Sequence, residues 1–337
     1  MNYQILRALL FKMSPERAHA FTLKALSLSS ALGFNGFVGQ CPSEPFKTMG
    51  LDFPNRVGLA AGLDKDGDYI DALASLGFGF IEIGTVTPRA QAGNPQPRLF
   101  RLSEGNAIIN RMGFNNKGID HLIYNVQQAK FKGILGINIG KNAATPIEEA
   151  CGDYLICLKK AYAHASYITI NISSPNTSGL RNLQHGVFLE DLLGALKQEQ
   201  KHLAQVQQKQ VPLIVKVAPD LTEAEIVALA DTFLRLDVEG VIATNTTIGR
   251  EGVAFSKAGK EAGGLSGAPL TQKSTEVLKL FKRELKDKIP LIASGGIMTP
   301  DIALEKIQAG ASLVQLYTGL IYQGPQLVQG CVRALNR

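Results

Sequence analysis

No two cysteines in this 337-residue chain stand at C-x-x-C spacing, and the four present (Cys41, Cys151, Cys157, Cys331) do not cluster with histidine. Zinc-ribbon and iron–sulfur chemistry are therefore not expected, and a reduced, cytoplasmic setting is. No block of Lys and Arg interleaved with aromatics occurs. The net charge of +6 thus points to a small anion or an anionic membrane surface before nucleic acid. No apolar stretch reaches transmembrane length without a charge or a glycine. The start lacks a charged n-region, a continuous apolar h-region and a small-residue cleavage site, so no signal peptide is expected. The first strand-like run is not followed by a G-x-G-x-x-G turn, which counts against a doubly wound dinucleotide fold.

What is present is apolar and rhythmic. Hydrophobic residues make up 45% of the chain and charged ones 19%, enough for a large core and too apolar for disorder. Residues 1–40 stand apart from the rest. Ser14-Pro15-Glu16 reads as a helix start, with Ser14 capping and Pro15 in the first turn. Phe21, Leu23, Ala25, Leu26, Leu28 and Leu32 follow at helical spacing, and Gly33 can end the helix. A shorter helix is expected over Tyr3–Phe11. Arg7, Lys12, Arg17 and Lys24 outnumber Glu16, so this two-helix extension suits either packing on the main domain or a peripheral membrane patch.

Residues 41–337 form the second unit. After a hairpin (Phe46–Met49, Leu51–Phe53), eight near-continuous apolar runs follow: 57–62, 80–86, 134–139, 167–172, 212–218, 240–246, 290–296 and 313–318. Continuous runs, rather than alternating ones, mark strands buried on both faces. Helical segments lie between them. Thr145-x-x-Glu148 and Thr222-x-x-Glu225 match the capping box, and Thr299-Pro300 a capped start. Eight such units predict an α/β fold, a (β/α)8 TIM barrel with a small N-terminal two-helix extension.

In such barrels the chemistry sits at the C-terminal strand ends. Those ends carry Ala61-Gly62-Leu63-Asp64-Lys65, Thr85, Asn138, Asn171 with Ser173 and Ser174, Lys216, Thr244-Asn245-Thr246, Gly295-Gly296 and Tyr317-Thr318-Gly319. Each alone could be a turn or a hydrogen-bonded buried group; eight in succession point to a site. Glycines after the last two strands allow backbone N–H groups to approach a phosphate, which suggests a phosphorylated cofactor. Lys65 and Lys216 suit a ring that becomes anionic on reduction, as a flavin does. Lys216 lies between Ile214-Val215 and Val217, where an ammonium must be paired or functional. Asn110, Asn176 and Asn245 can both donate and accept, as a cyclic imide substrate needs, and Lys65 suits a carboxylate on it.

The motifs A-A-G-L-D-K (60–65), E-I-G-T-V-T-P-R (82–89), P-R-L-F-R-L (97–102) and N-R-M-G-F-N-N (110–116) resemble those of dihydroorotate dehydrogenases. So do I-N-I-S-S-P-N-T (170–177), A-T-N-T-T (243–247) and G-G-L-S-G (263–267), and together they span nearly the whole chain. A serine rather than a cysteine in the fourth-strand loop, with the N-terminal helices, resembles the membrane-associated, quinone-using class 2. The resemblance implies one FMN per chain and oxidation of (S)-dihydroorotate to orotate in pyrimidine biosynthesis. It places the FMN contacts at Ala61, Gly62, Leu63, Asp64, Lys65, Thr85, Asn138, Asn171, Lys216, Thr244, Gly267, Gly296, Tyr317 and Thr318. Substrate contacts fall on Lys65, Asn110, Arg111, Met112, Gly113, Phe114, Asn171, Asn176, Asn245 and Thr246. Ser174 is the implied base, and Thr177 a proton exit beside it. The N-terminal helices would lead a quinone to His19, Arg101 and Tyr317. A monomer, peripheral on the cytoplasmic face of the inner membrane and with no metal, is the implied setting. Gly179 is a candidate hinge for a lid at Ser178–His185. Other flavin barrels, such as a dihydropyrimidine dehydrogenase domain or a tRNA dihydrouridine synthase, fit less well. The first needs cluster cysteines and the second a basic RNA-binding face. A non-catalytic flavin or lipid carrier would not need Ser174, Lys65 and the asparagine set.

Overall fold

The computed structural model describes residues 3–32 and 44–336. Two helices come first, α1 (Tyr3–Leu10) and α2 (Pro15–Ala31), then a hairpin of β1 (Phe46–Thr48) and β2 (Leu51–Phe53). The barrel opens with β3 (Val57–Leu59), α3 (Ile70–Ala74) and β4 (Phe80–Val86). Two inserted strands, β5 (Leu99–Leu102) and β6 (Ala107–Asn110), precede α4 (Ile119–Gln128) and β7 (Ile134–Ile139). Helix and strand then alternate through α5 (Ala150–Ala161), β8 (Tyr167–Asn171), α6 (Gly186–Gln207), β9 (Leu213–Val217), α7 (Glu223–Arg235) and β10 (Gly240–Ala243). A third inserted strand, β11 (Gly264–Gly267), comes before α8 (Thr271–Leu285), β12 (Leu291–Ser294), α9 (Pro300–Gln308) and β13 (Leu313–Leu316). Helices α10 (Thr318–Gln323) and α11 (Gln326–Leu335) finish the fold.

Strands β3, β4, β7, β8, β9, β10, β12 and β13 close into a parallel barrel, with β13 returning to pair with β3. The eight apolar runs are these eight strands. Most strands stop short of their run's end: β3 ends at Leu59, β10 at Ala243, β12 at Ser294 and β13 at Leu316. The residues left over turn off the ladder and line the mouth. The sequence pattern did not disclose the antiparallel sheet β5–β6–β11. Its strands come from two distant loops, Leu99–Asn110 and Gly264–Gly267, and only the tertiary fold brings them together.

The lower end of the barrel is dry. Phe53 of the hairpin meets Phe80 edge-on at 5.2 Å between centroids, and Phe80 meets Tyr167 at 6.3 Å. Ile214, Ile242, Ile292 and Leu313 complete this layer. The rings occupy space left by missing side chains: a Cβ on Gly58 would lie 2.2 Å from the Phe80 ring, and one on Gly136 2.2 Å from Tyr167.

Helix α7 starts as expected. The Thr222 hydroxyl accepts from the Glu225 N–H while the Glu225 carboxylate accepts from the Thr222 N–H. Thr222→Ala should therefore cost about 1 kcal/mol, read as a lower urea midpoint at unchanged slope. Thr299 caps α9 by accepting from the Ile302 N–H. Thr145 does not cap. A 3₁₀ turn intervenes over Ile147–Glu149, and the Thr145 hydroxyl donates to Asp153 inside α5 instead, at 2.7 Å. A carboxylate already within reach won over the local backbone. Ser14 sits at the start of α2 with Pro15 behind it, without a side-chain cap. Gly33 and Cys41 lie outside the described residues.

The two N-terminal helices are fastened to the mouth of the barrel. Arg98 chelates Glu16 of α2, with the closest approach at 3.1 Å, and Gln96 donates to the same carboxylate at 2.9 Å. Arg101 of β5 donates to the carbonyls of Leu10 and Met13 in the turn between α1 and α2, and lies over the Phe11 ring. The Tyr3 hydroxyl donates to Ile321 O and Arg7 to Tyr322 O. Outward from these contacts, Ile5, Leu9, Phe21, Leu28 and Leu32 are exposed.

Candidate active site

The strand ends surround a cleft of about 1020 Å³ at the C-terminal face of the barrel. Its floor is a polar layer set directly above the apolar one. Glu82 of β4 is fully buried and accepts from Asn138 Nδ2 at 2.7 Å, Gln315 Nε2 at 2.7 Å and the Tyr167 hydroxyl at 3.0 Å. Three donors leave the carboxylate well satisfied in a site where an unpaired charge would be very costly. Lys216 of β9 projects into the same layer. Burial pulls its pKa below the ordinary lysine value, and the Glu82 charge works against that shift.

The next layer carries the hydroxyls and amides. Thr85 donates to Asn138 Oδ1 at 2.6 Å, and Asn171 Nδ2 donates to Thr85 Oγ1 at 2.9 Å. Tyr154 from α5 donates to the Asn171 carbonyl at 2.7 Å. These bonds fix the Asn171 amide, and Asn245 Nδ2 then donates to Asn171 Oδ1 at 3.3 Å and Ser173 Oγ at 3.0 Å. On the opposite wall Asn176 Nδ2 donates to Asn110 Oδ1 at 3.1 Å, joining the fourth-strand loop to the inserted sheet. Asn94 braces that junction through the carbonyls of Arg111 and Asn176. Ser174 lies between these groups, nearly buried, its Oγ accepting from the Asn176 N–H at 3.3 Å.

Most of the residues singled out in the sequence meet in this cleft. Ala61, Gly62, Lys65, Thr85, Asn110, Met112, Gly113, Phe114, Asn171, Ser174, Asn176, Lys216, Thr244, Asn245 and Thr246 line it, with Gly267, Gly296, Tyr317 and Thr318. Several others do not. The Leu63 side chain joins the hydrophobic core. Asp64 turns away to accept from the Asp68 and Tyr69 N–H groups, and burial raises its pKa to about 6. Asn138 lies beneath the cleft, behind Thr85. The Arg111 guanidinium pairs with Glu261 at 2.7 Å and lies over Phe100, outside the cleft lining. The segment expected to act as a lid is pinned beyond Gly179. Leu180, Leu183 and Gln184 are buried, Gln184 accepts from the Ala218 N–H, and Arg181 pairs with Asp220 at 3.0 Å while donating to Ser173 O and Thr246 O.

Sequence reading missed Glu82, Gln315 and Ser266. The signal that flagged Lys216 was available for the first two: each is a polar residue inside an apolar run, F-I-E-I and L-V-Q-L. Ser266 shares a hydrogen bond with Thr318 at 2.8 Å and enters from β11, an element the pattern did not disclose.

Lys65 is the cation nearest the open side. Burial lowers its pKa to about 8, opposed by Asp66 and reinforced by Arg98. His19 of α2 is lowered to about 4, first by burial and then by the Lys65 charge, so it is neutral at pH 7. The Lys65 charge acting on His19, and the Glu16 charge acting on Lys65, show that α2 lies close to the mouth. Burial raises the Tyr317 phenol to about 12, and its ring lies 3.3 Å from where a Cβ on Gly62 would stand. Arg101 sits under the α1–α2 turn.

Two buried oxygens of the cleft lining lack a partner, Thr246 Oγ1 and Gln315 Oε1, as does Thr177 Oγ1 outside the lining. Buried polar atoms are almost always satisfied, so orphans in a cleft point to a ligand or an ordered water. The glycine pair adds a close-approach surface. Gly295 and Gly296 have φ of +118° and +74°, and a Cβ on Gly296 would lie 2.3 Å from Thr271 Cα. A planar anionic ring and a phosphate fit this donor set: two lysines, a ring of amides and hydroxyls, and backbone free to come close.

The chain matches the family model described as dihydroorotate dehydrogenase over residues 45–337. It is 58% identical to a dihydroorotate dehydrogenase (quinone) of Acinetobacter baylyi over 336 residues, covering 100% of both chains. A protein of the same name from Neisseria meningitidis serogroup C is 58% identical over 335 residues, which cover 99% of this chain and 98% of that one. The crystal structure of DHODH from Eimeria tenella in complex with ferulenol superposes with a TM-score of 0.86 at 37% identity, covering 95% of this chain and 90% of that one.

Proposed function

The chain belongs to the dihydroorotate dehydrogenase family, and from that premise we propose that it oxidises (S)-dihydroorotate to orotate in de novo pyrimidine biosynthesis, with FMN bound in the cleft and a membrane quinone as final electron acceptor. The observation that carries this reading is the meeting of Ser174, Lys65 and Asn110, Asn171, Asn176 and Asn245 around one cleft. FMN would be held by the backbone at Ala61–Lys65, by Thr85, Asn171, Lys216 and Thr244, and at its phosphate by Gly267, Gly296, Tyr317 and Thr318, with Asn138 supporting Thr85 from below. When bound, it supplies the hydride acceptor.

The chain's own residues do the rest. Lys65 and the four asparagines hold the substrate's carboxylate and imide edges, and Thr246 Oγ1, buried without a partner, gains one. Residues 111–114 shape that wall through their backbone and the Phe114 ring. Ser174 Oγ takes a proton from carbon 5. Serine is a weak base, so the negative charge growing on the neighbouring carbonyl has to be stabilised. Fixed donors in a water-poor cleft do this without reorganising during the reaction. The hydroxyl of Thr177, buried and unpartnered beside Ser174, passes the proton outward, directly or through one water.

Residues 1–40 form the quinone-access unit and the peripheral membrane contact. His19, Arg101 and Tyr317 lie at its inner end. Among the described residues no helix is long and apolar enough to cross a membrane, and the exposed apolar side chains of α1 and α2 support attachment at the cytoplasmic face of the inner membrane. The protein acts as a monomer.

Anaerobic dihydroorotate should bleach the flavin of the purified protein, and a quinone, but neither fumarate nor NAD, should restore the colour. A flavin that stays oxidised would overturn the reading; restoration by fumarate or NAD would overturn the acceptor. The Lys65 pKa gives a pH signature. A lysine at about 8 is charged below that value and neutral above it. The KM for dihydroorotate should hold steady below pH 8 and then rise, approaching tenfold per pH unit, as the cation facing the substrate carboxylate is lost. A KM flat to pH 9.5 would remove Lys65 from that role.

A further inference from the structure

Lys306 of α9 is 1% exposed. Its ammonium donates to Thr271 O at 2.9 Å, Ser274 Oγ at 2.7 Å and Thr275 Oγ1 at 2.6 Å, and no carboxylate pairs with it among the described residues. The protons of the neighbouring hydroxyls are all committed elsewhere. Thr275 donates to Thr271 O, Ser274 to Thr271 O and Gly295 O, and Thr271 Oγ1 to Gly296 O. Nζ must therefore be the donor in all three of its bonds. A neutral amine has two N–H groups and an ammonium three, so three acceptors around Nζ favour the charged form. This cation is buried at the N-terminal end of a 15-residue helix, where the backbone is itself positive, and no carboxylate touches it among the described residues; the Glu305 charge on its own helix favours it only from a distance.

The two glycine carbonyls tied back into α8 belong to the loop that follows β12. In a trans peptide the N–H points opposite to the C=O. Anchoring Gly295 O and Gly296 O against α8 therefore turns the N–H groups of Gly296 and Ile297 the other way. Both residues line the cleft, and neither N–H has a partner among the described residues. Two unpaired N–H groups facing a cleft, backed by a buried ammonium, make an anion-binding concavity.

We infer that Lys306 is a positioning residue for the cofactor phosphate. It holds α8 so that Ser274 and Thr271 fix the Gly295–Gly296 carbonyls, and it supplies the internal positive charge that the phosphate balances from the cleft. The inference rests on the flavin reading above and adds a residue that does not reach the cleft itself. Burial also pulls the Lys306 pKa down to about 7, against the Glu305 charge, and a bound phosphate would reverse this.

FMN and riboflavin differ only in the phosphate, so comparing them isolates this effect. The dissociation constants of both flavins are measured by fluorescence, after exchange into the purified full-length protein, for wild type, Lys306→Met and Thr275→Val. Lys306→Met should weaken FMN about tenfold, or about 1.4 kcal/mol, while riboflavin shifts by less than about twofold. Thr275→Val, which keeps the lysine but removes one of its acceptors, should weaken FMN in the same direction, again with riboflavin shifted by less than about twofold. Equal weakening of both flavins, or no weakening of FMN, would overturn the assignment. A wild type that binds riboflavin as tightly as FMN would instead overturn the phosphate reading of the whole cleft.

Discussion

Ser174→Ala should give a folded, yellow protein whose flavin is no longer bleached by dihydroorotate at neutral pH. Ser174 accepts one weak hydrogen bond, from the Asn176 N–H at 3.3 Å, so removing its Oγ leaves no strong donor unsatisfied. None of the groups at the phosphate end of the cleft contacts it, and flavin binding should persist. What is lost is the proton acceptor at carbon 5, and a positioned general base is worth about 10²–10⁴ in rate. Stopped-flow reduction of the flavin isolates this step from quinone chemistry. Near-normal reduction at pH 7 would sink the assignment. Ser174→Cys sharpens the test. A free thiol ionises near 8.5 and this site is nearly buried, so the cysteine protein should recover turnover only as pH rises.

How this site could be seen in the sequence follows from the physics of the barrel. Strands buried on both faces must be apolar throughout, so every polar group at a strand's C-terminal end stands out against the run before it. Asn171, Thr244 and Lys216 were visible for that reason. Glu82 and Gln315 obey the same logic; Glu82 lies below the mouth and completes the floor under Asn138, while Gln315 holds Glu82 and reaches the cleft lining from beneath. Residues that face away, such as Arg111, Asp64 and Leu63, share motifs with those that face in, and side-chain direction on an irregular loop leaves no period to read. The inserted sheet was hidden for another reason. β6 and β11 pair across more than 150 residues, Gly264 opposite Asn110, and a pairing that long-range has no local signature. It is nevertheless what presents Asn110 to Asn176 and Ser266 to Thr318. The internal cation Lys306 was equally silent. In P-D-I-A-L-E-K-I-Q it reads as a surface lysine on an amphipathic helix, and only packing against α8 buries it.

Removing residues 1–40 should separate the two half-reactions. Flavin reduction by dihydroorotate should remain within a few-fold of wild type, while quinone reduction and vesicle binding are lost. The barrel closes without these residues: its eight strands and its plug at Phe53 all lie beyond them. The contacts given up are polar and apolar: Arg98 with Glu16, Arg101 with two carbonyls, Tyr3 and Arg7 with the backbone of α10, and also Leu23 in the main core and Phe11 edge-on to Tyr322. Partly exposed polar pairs contribute about 0.2–1 kcal/mol each and buried apolar side chains about 1.5–3 kcal/mol each, so the truncated protein should be less stable than the full chain while the barrel itself still closes. The membrane side weighs differently. Ile5, Leu9, Phe21, Leu28 and Leu32 are 56–64% exposed, and each fully inserted side chain of this kind contributes about 1.5–3 kcal/mol. Arg7, Lys12, Arg17 and Lys24 would each add about 1 kcal/mol at an anionic leaflet. Binding should therefore be reversible and weaken with salt and with loss of anionic lipid. A truncated protein that still reduces a long-chain quinone at full rate would show that the acceptor reaches the flavin by another route. One that no longer accepts electrons from dihydroorotate would show that α2, with His19 beside Lys65, belongs to the substrate half of the site as well.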